Sequence, residues 1–256
     1  AAEVLHQGAV ASRFDGITAN AQVSDWRSLV TQKDALVSEL RQAKYIDLLP
    51  SYNNIAYLEG AARLTPDGVT VNGGTFRSKK TIVATGSSVA MPVIAGLDGV
   101  TPLTSETALA LEELPRSLLV LGAGYIGCEL AQMFARAGVA VTIVCRSRLL
   151  PETEPEISAA LEGHFGDEGI TVRSGVAYRA IRESEMGIAL DLDDGGPPET
   201  IEAEQVLIST GRRPNSGELG LGEVGVEIAA GGAITVNDRL QTTNPDIYAA
   251  GDVTGR

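Results

Sequence analysis

Residues 118–127 read Leu-Leu-Val-Leu-Gly-Ala-Gly-Tyr-Ile-Gly, an apolar strand that runs straight into G-x-G-x-x-G and then into a helical pattern. Each glycine has a physical task. Gly122 makes the tight turn, Gly124 lets the backbone approach a pyrophosphate, and Gly127 permits close packing of the helix. The helix, expected over 125–137 with Tyr125 and Ile126 in its first turn, offers unpaired N–H groups and a partial positive charge to phosphates. A second strand at Val139–Val144 completes the order strand, glycines, helix, strand. That order within about 30 residues separates dinucleotide binding from an ordinary Gly-rich turn.

About 20 residues beyond the glycines, a site for the unphosphorylated dinucleotide usually carries Asp or Glu for the adenosine ribose. This chain has Cys145 followed by Arg146, Ser147 and Arg148. A carboxylate would repel a 2′-phosphate, whereas two guanidinium groups and a hydroxyl hold one through charge-assisted hydrogen bonds. The expected cofactor is therefore NADPH. The plainer reading makes both arginines solvated loop residues.

Outward from this unit, Glu154–Asp167 reads as a helix and Ile170–Arg173 as a strand. Short connections between alternating strands and helices predict parallel pairing through right-handed crossovers. Ala177–Ile181 and Ile188–Leu192 read as antiparallel, and Gln205–Thr210 as a strand covered on both faces. Toward the N-terminus, Trp26, Leu29, Val30, Val37 and Leu40 recur at helical spacing within 26–49, and Pro50 ends the pattern. The runs Ile55–Leu58, Val69–Val71 and Thr81–Ala84, separated by Pro66-Asp67-Gly68 and Asn72-Gly73-Gly74, predict a small β-meander, followed by loop from Met91 to Gly99.

Composition narrows the classes of function. The 256 residues are 44% apolar with a net charge of −13, and the mean hydropathy is +0.08. This is the balance of a folded chain large enough to need no disulfide or metal staple. An acidic surface removes the usual drive toward nucleic acid and anionic lipid. No apolar run approaches the roughly 20 residues that span a bilayer, so the expected compartment is the cytoplasm. Cys128 and Cys145 form no disulfide scaffold, and His6 and His164 have no ligand-like companions, so no metal site is assigned. Cys128 near a helix start is either a low-pKa thiol or a small buried hydrophobe. Met91, Met133 and Met186 are expected to pack.

Three further segments gain meaning from their order. Thr81-Ile82-Val83-Ala84-Thr85-Gly86 and Ile208-Ser209-Thr210-Gly211-Arg212-Arg213-Pro214-Asn215 each end a strand in Thr-Gly, and Ile247-Tyr248-Ala249-Ala250-Gly251-Asp252 ends one in Gly-Asp. The order resembles the flavin- and pyridine-nucleotide-dependent disulfide oxidoreductases. The resemblance implies an α/β fold in which a Rossmann-like NAD(P)H domain, residues 115–212, is inserted into an incomplete FAD domain. Residues 1–114, helix and β-meander, and the return segment 213–256 would make up the latter. It further implies that Thr85, Gly86, Gly211, Gly251 and Asp252 serve the cofactors, with Asp252 on the flavin ribityl chain. Tyr125 would gate the flavin face and Glu129 would stand near the nicotinamide. For Glu129 the alternative is a carboxylate favoured by the helix dipole, worth roughly 0.3–1 kcal/mol.

Leu29–Lys33, Leu40–Tyr45, Phe14–Ile17, Leu103–Glu106 and Glu202–Gln205 are similar to the mercury-reducing members of that family, particularly Gram-positive forms. That likeness implies transfer of electrons from NADPH through FAD and a cysteine pair to Hg(II), giving Hg(0), in a homodimer. The family's Cys-x-x-x-x-Cys spacing is absent here, so no catalytic residue is assigned within these 256 residues. The first FAD glycine loop and a dimerisation domain are absent as well, and Ala1–Leu5 resembles the helix that follows the cysteine pair. The expectation is a piece of a longer enzyme. A lipoamide or glutathione sibling, or a nucleotide-binding module without catalysis, are the alternatives.

Overall fold

The helices are α1 (Ala2–Ala9), α2 (Trp26–Arg41), α3 (Ser105–Leu109), α4 (Tyr125–Arg136) and α5 (Pro155–Asp167). The strands are β1 (Ala62–Thr65), β2 (Gly68–Val71), β3 (Gly74–Phe76), β4 (Thr81–Val83), β5 (Ser87–Val89), β6 (Ser117–Leu121) and β7 (Ala140–Val144). After them come β8 (Thr171–Arg173), β9 (Ala177–Ser184), β10 (Gly187–Asp193), β11 (Glu199–Ala203), β12 (Gln205–Ile208), β13 (Arg212–Pro214) and β14 (Ile247–Ala249). The computed structural model describes residues 1–193 and 195–255; Asp194 and Arg256, the end of the expected return segment, lie outside the described residues.

The chain divides into two compact units. The first comprises residues 1–37 and 91–211. At its centre lies a parallel sheet in the order β12-β6-β7-β8. Leu118, Leu119, Val120 and Leu121 are all buried, which is why β6 reads as a continuous apolar run. The β6-α4-β7 and β7-α5-β8 crossovers step one way, while β12 lies on the other side of β6. Strand order therefore reverses at β6, and such a reversal opens a crevice beyond the carboxyl ends of the strands. Cys128, Ala131 and Phe134 on α4, together with Phe165 on α5, pack into the same core as Val120 and Ile143. Trp26 leans on Phe134 with ring centroids 6.0 Å apart and donates its indole N–H to the Leu111 carbonyl at 2.7 Å. An antiparallel sheet, β11-β10-β9, completes this unit.

The second unit comprises residues 38–90 and the chain from Arg212 onward. It contains the meander β1-β2-β3, the parallel pair β14-β4 and the antiparallel pair β13-β5. Leu64, Val83, Leu221, Ile234, Ile247 and Val253 share its core.

Several local expectations need correction. Regular α-helix stops at Arg41 rather than at Pro50, giving way to a π turn at Gln42–Ile46. Leu36, Val37 and Leu40 remain exposed. A helix without tertiary cover on its apolar face has little to hold its last turns. Ile55–Leu58 forms no strand, and the meander is built instead from β1, β2 and β3. β-rich composition alone does not make a strand where no partner edge is presented. Thr81–Val83 leaves the meander to pair with Ile247–Ala249, where Val83 is buried. Met91 and Met186 are exposed and do not pack.

Candidate functional site

A cavity of about 300 Å³ opens at the carboxyl ends of the parallel strands in the first unit. It is lined by Gly122–Tyr125 after β6, Cys145–Arg148 after β7 and Ser209–Gly211 after β12, with Leu150–Glu152 and Tyr178 closing its sides. These are the positions that the reversal of strand order leaves open.

Two of the three glycines are dictated by sterics. Gly122 has φ +101°, and a Cβ there would run into the Ser209 carbonyl, 2.7 Å from its carbon. A Cβ on Gly127 would meet the Gly122 carbonyl oxygen at 2.6 Å. At Gly124, by contrast, the space where a Cβ would stand is open for 4 Å. Gly124 is the N-cap of α4, and the first intrahelical bond runs from the Cys128 N–H to the Gly124 carbonyl at 3.0 Å. The N–H groups ahead of it point out of the helix end, where an anion is favoured. A tight turn, an open approach and a helix N-terminus together fit a diphosphate.

The segment after β7 is drawn across this turn. Leu150 donates its N–H to the Ala123 carbonyl at 2.7 Å while holding φ +44°. A non-glycine residue in that region costs on the order of 1–3 kcal/mol and persists only where the surroundings enforce it. Arg148 supplies part of that enforcement. Its Nε donates to Ser158 Oγ at 3.1 Å, and its Nη2 to the carbonyls of Pro151 at 3.0 Å and Thr153 at 2.6 Å. Arg148 thus spends much of its donor capacity on the 151–153 turn. Arg146 is exposed, and with Arg148 it gives the cavity two positive charges against one carboxylate, Glu152.

The cavity therefore brings together Gly122, Gly124, Tyr125, Arg146, Arg148 and Gly211 of the expected site residues. Tyr125 is 61% exposed at the mouth of the turn. Ile126 and Gly127 support the helix start without lining the cavity, and Glu129 is exposed on α4. Sequence reasoning missed Leu150, Glu152, Tyr178 and Ser209. The thiols of Cys128 and Cys145 are buried, and burial pushes Cys128 up to about 11 and Cys145 upward as well.

The remaining expected residues gather in the second unit. Pairing of β4 with β14 sets the Thr85-Gly86 and Gly251-Asp252 turns at the ends of adjacent strands. Asn215 fastens the first of these: its N–H donates to the Gly86 carbonyl at 2.9 Å, and Thr85 Oγ1 donates to the Asn215 carbonyl at 2.8 Å. Ser87 Oγ donates to Asp252 Oδ2 at 2.8 Å, and Arg212 Nε donates to Ser87 Oγ at 2.7 Å. Asp252 remains exposed, an acceptor of the kind a polyol hydroxyl requires. Among the described residues there is no cluster of three or more His, Cys, Asp or Glu that could hold a metal ion, and no helix long and apolar enough to cross a membrane.

Comparison with known proteins identifies the family. The family described as pyridine nucleotide-disulphide oxidoreductase matches residues 3–256. The chain is 44% identical to a mercuric reductase of Streptomyces lividans, covering 99% of this chain and 55% of that protein. It is 41% identical to a mercuric reductase of Staphylococcus aureus, covering 94% of this chain and 44% of that protein. Among solved structures, the Cu(II) complex of the HOCl-induced flavoprotein disulfide reductase RclA from Escherichia coli superposes with a TM-score of 0.85 at 27% identity, over 100% of this chain and 55% of that one. The chain thus spans about half the length of the relatives it matches.

Proposed function

The chain belongs to the pyridine nucleotide-disulphide oxidoreductase family, a family of oxidoreductases, and on that footing we propose that it provides the nucleotide-binding part of an NADPH- and FAD-dependent enzyme that reduces Hg(II). The observation that carries the reading is one cavity shared by the 122–125 turn and the 145–148 segment. The turn and the start of α4 would hold the diphosphate. Arg146, with the free edge of Arg148, would take the 2′-phosphate through charge-assisted bonds. Gly211 and Tyr125, both at the cavity wall, would border the nicotinamide half.

In the second unit, Asp252 would accept from a ribityl hydroxyl of FAD, held ready by Ser87 and Arg212, with Gly251 and the Thr85-Gly86 turn leaving room for close approach. When bound, the nicotinamide would supply a hydride and the flavin would relay the electron pair to a cysteine pair in its disulfide form, reducing it to two thiols; the protein contributes alignment and exclusion of water. The identities of the mercuric reductases support Hg(II) as the acceptor, and thiolates suit that soft ion. We infer further that residues 115–212 form the NADPH domain, that 1–114 and 213–256 belong to the FAD domain, and that the complete enzyme is a cytoplasmic homodimer.

The test is NADPH oxidation by the complete enzyme. Oxidation that depends on added Hg(II) is expected. Turnover of dihydrolipoamide or glutathione disulfide with no response to Hg(II) would contradict the substrate.

A further inference from the structure

Three parts of the cavity meet at one carbonyl. Val144 O, at the end of β7, accepts the Gly122 N–H at 2.9 Å and the Tyr178 hydroxyl at 2.9 Å. Gly122 opens the diphosphate turn, Val144 stands two residues before Arg146, and Tyr178 arrives from β9. Just before β9, Val176 donates its N–H to the Cys145 carbonyl at 3.3 Å. The 176–178 stretch therefore holds both carbonyls that immediately precede Arg146. Tyr178 also lines the cavity itself. Burial pushes its phenol up to about 12, so it remains a neutral donor at ordinary pH.

We propose that Tyr178 is a positioning residue for coenzyme selectivity: its hydroxyl fixes Arg146 relative to the diphosphate turn and so sets the preference for 2′-phosphorylated over unphosphorylated adenosine. The proposal rests on the NADPH reading above. Its physical basis is that a dinucleotide anchored at the diphosphate leaves little play at the ribose. A guanidinium displaced by a fraction of an ångström then loses the short geometry that makes a charge-assisted bond strong. The hydroxyl of Tyr178 ties these two anchor points to one atom.

The experiment is calorimetric titration of the chain with 2′,5′-ADP and with 5′-AMP, which reads the preference without turnover. Y178F keeps the ring and deletes the hydroxyl. The expected result is a fall in preference of about 3- to 10-fold, the net worth of one hydrogen bond, through weaker 2′,5′-ADP binding. In an R146A background, Y178F should leave the ratio unchanged, because there is then no guanidinium to position. If the unaltered chain prefers 2′,5′-ADP and Y178F keeps that preference, or if Y178F has the same effect with and without Arg146, the role of Tyr178 is overturned and the NADPH reading stands. Equal binding of both ligands by the unaltered chain would overturn the two together.

Discussion

Arg136 and Glu168 meet through a two-pronged bond, Nε to Oε2 at 2.7 Å and Nη2 to Oε1 at 2.8 Å. Arg136 is the last residue of α4 and Glu168 the C-cap of α5, so the pair joins the two crossover helices that flank the cavity strands. Gln132 adds a third bond to Glu168 at 2.8 Å, and Glu3 on α1 accepts from the outer face of Arg136 at 3.0 Å.

The Arg136 guanidinium, first through its hydrogen bonds, holds the Glu168 carboxyl below its ordinary range. Because the folded-state pKa is lowered, the stabilisation is present above the unfolded carboxylate value near 4.3 and is lost as the pH falls through the folded one. Glu168→Gln should destabilise the chain by on the order of 1–3 kcal/mol at neutral pH. The gap from the unaltered chain should close below about pH 4. Denaturant melts at several pH values measure this.

Gly122→Ala and Gly124→Ala should separate folding from binding. At Gly122 the added methyl meets the Ser209 peptide at a positive φ, and a loss on the order of 1–3 kcal/mol is expected. At Gly124 the space is open and φ is −74°, so only the poorer N-cap propensity of Ala counts, and a loss of about 0.5–1 kcal/mol is expected. The same methyl would stand where the diphosphate approaches, so NADPH affinity should drop sharply. Thermal melts and calorimetry on the two variants give the contrast.

Glu152 is the acidic residue in the cavity wall and opposes an incoming phosphate. Glu152→Gln should tighten NADPH by about 2- to 5-fold, the scale of an exposed charge interaction, and change NADH less. The gain should shrink as salt is raised.

Legibility followed sequence distance. The 122–127 turn and the 145–148 segment were readable because glycine sterics, the helix start and the arginine spacing all lie within one short stretch. Tyr178 and Ser209 were not, because each reaches the cavity through pairings with residues 34 and 88 positions away. Leu150 gave no signal either, since its strained φ is imposed by the contact with Ala123. The same reason explains β4, whose partner strand lies far along the chain, and the exposed end of α2, where Leu36, Val37 and Leu40 share an apolar spacing but find no cover among the described residues.

The decisive measurement is calorimetric binding of NADPH and NADH to the unaltered chain and to Arg146→Ala. If the arginine beside the glycine turn reads the 2′-phosphate, NADPH should bind about 10- to 100-fold more tightly, as one charge-assisted bond allows, and Arg146→Ala should remove most of that advantage. Equal affinities for the two coenzymes in the unaltered chain would contradict it.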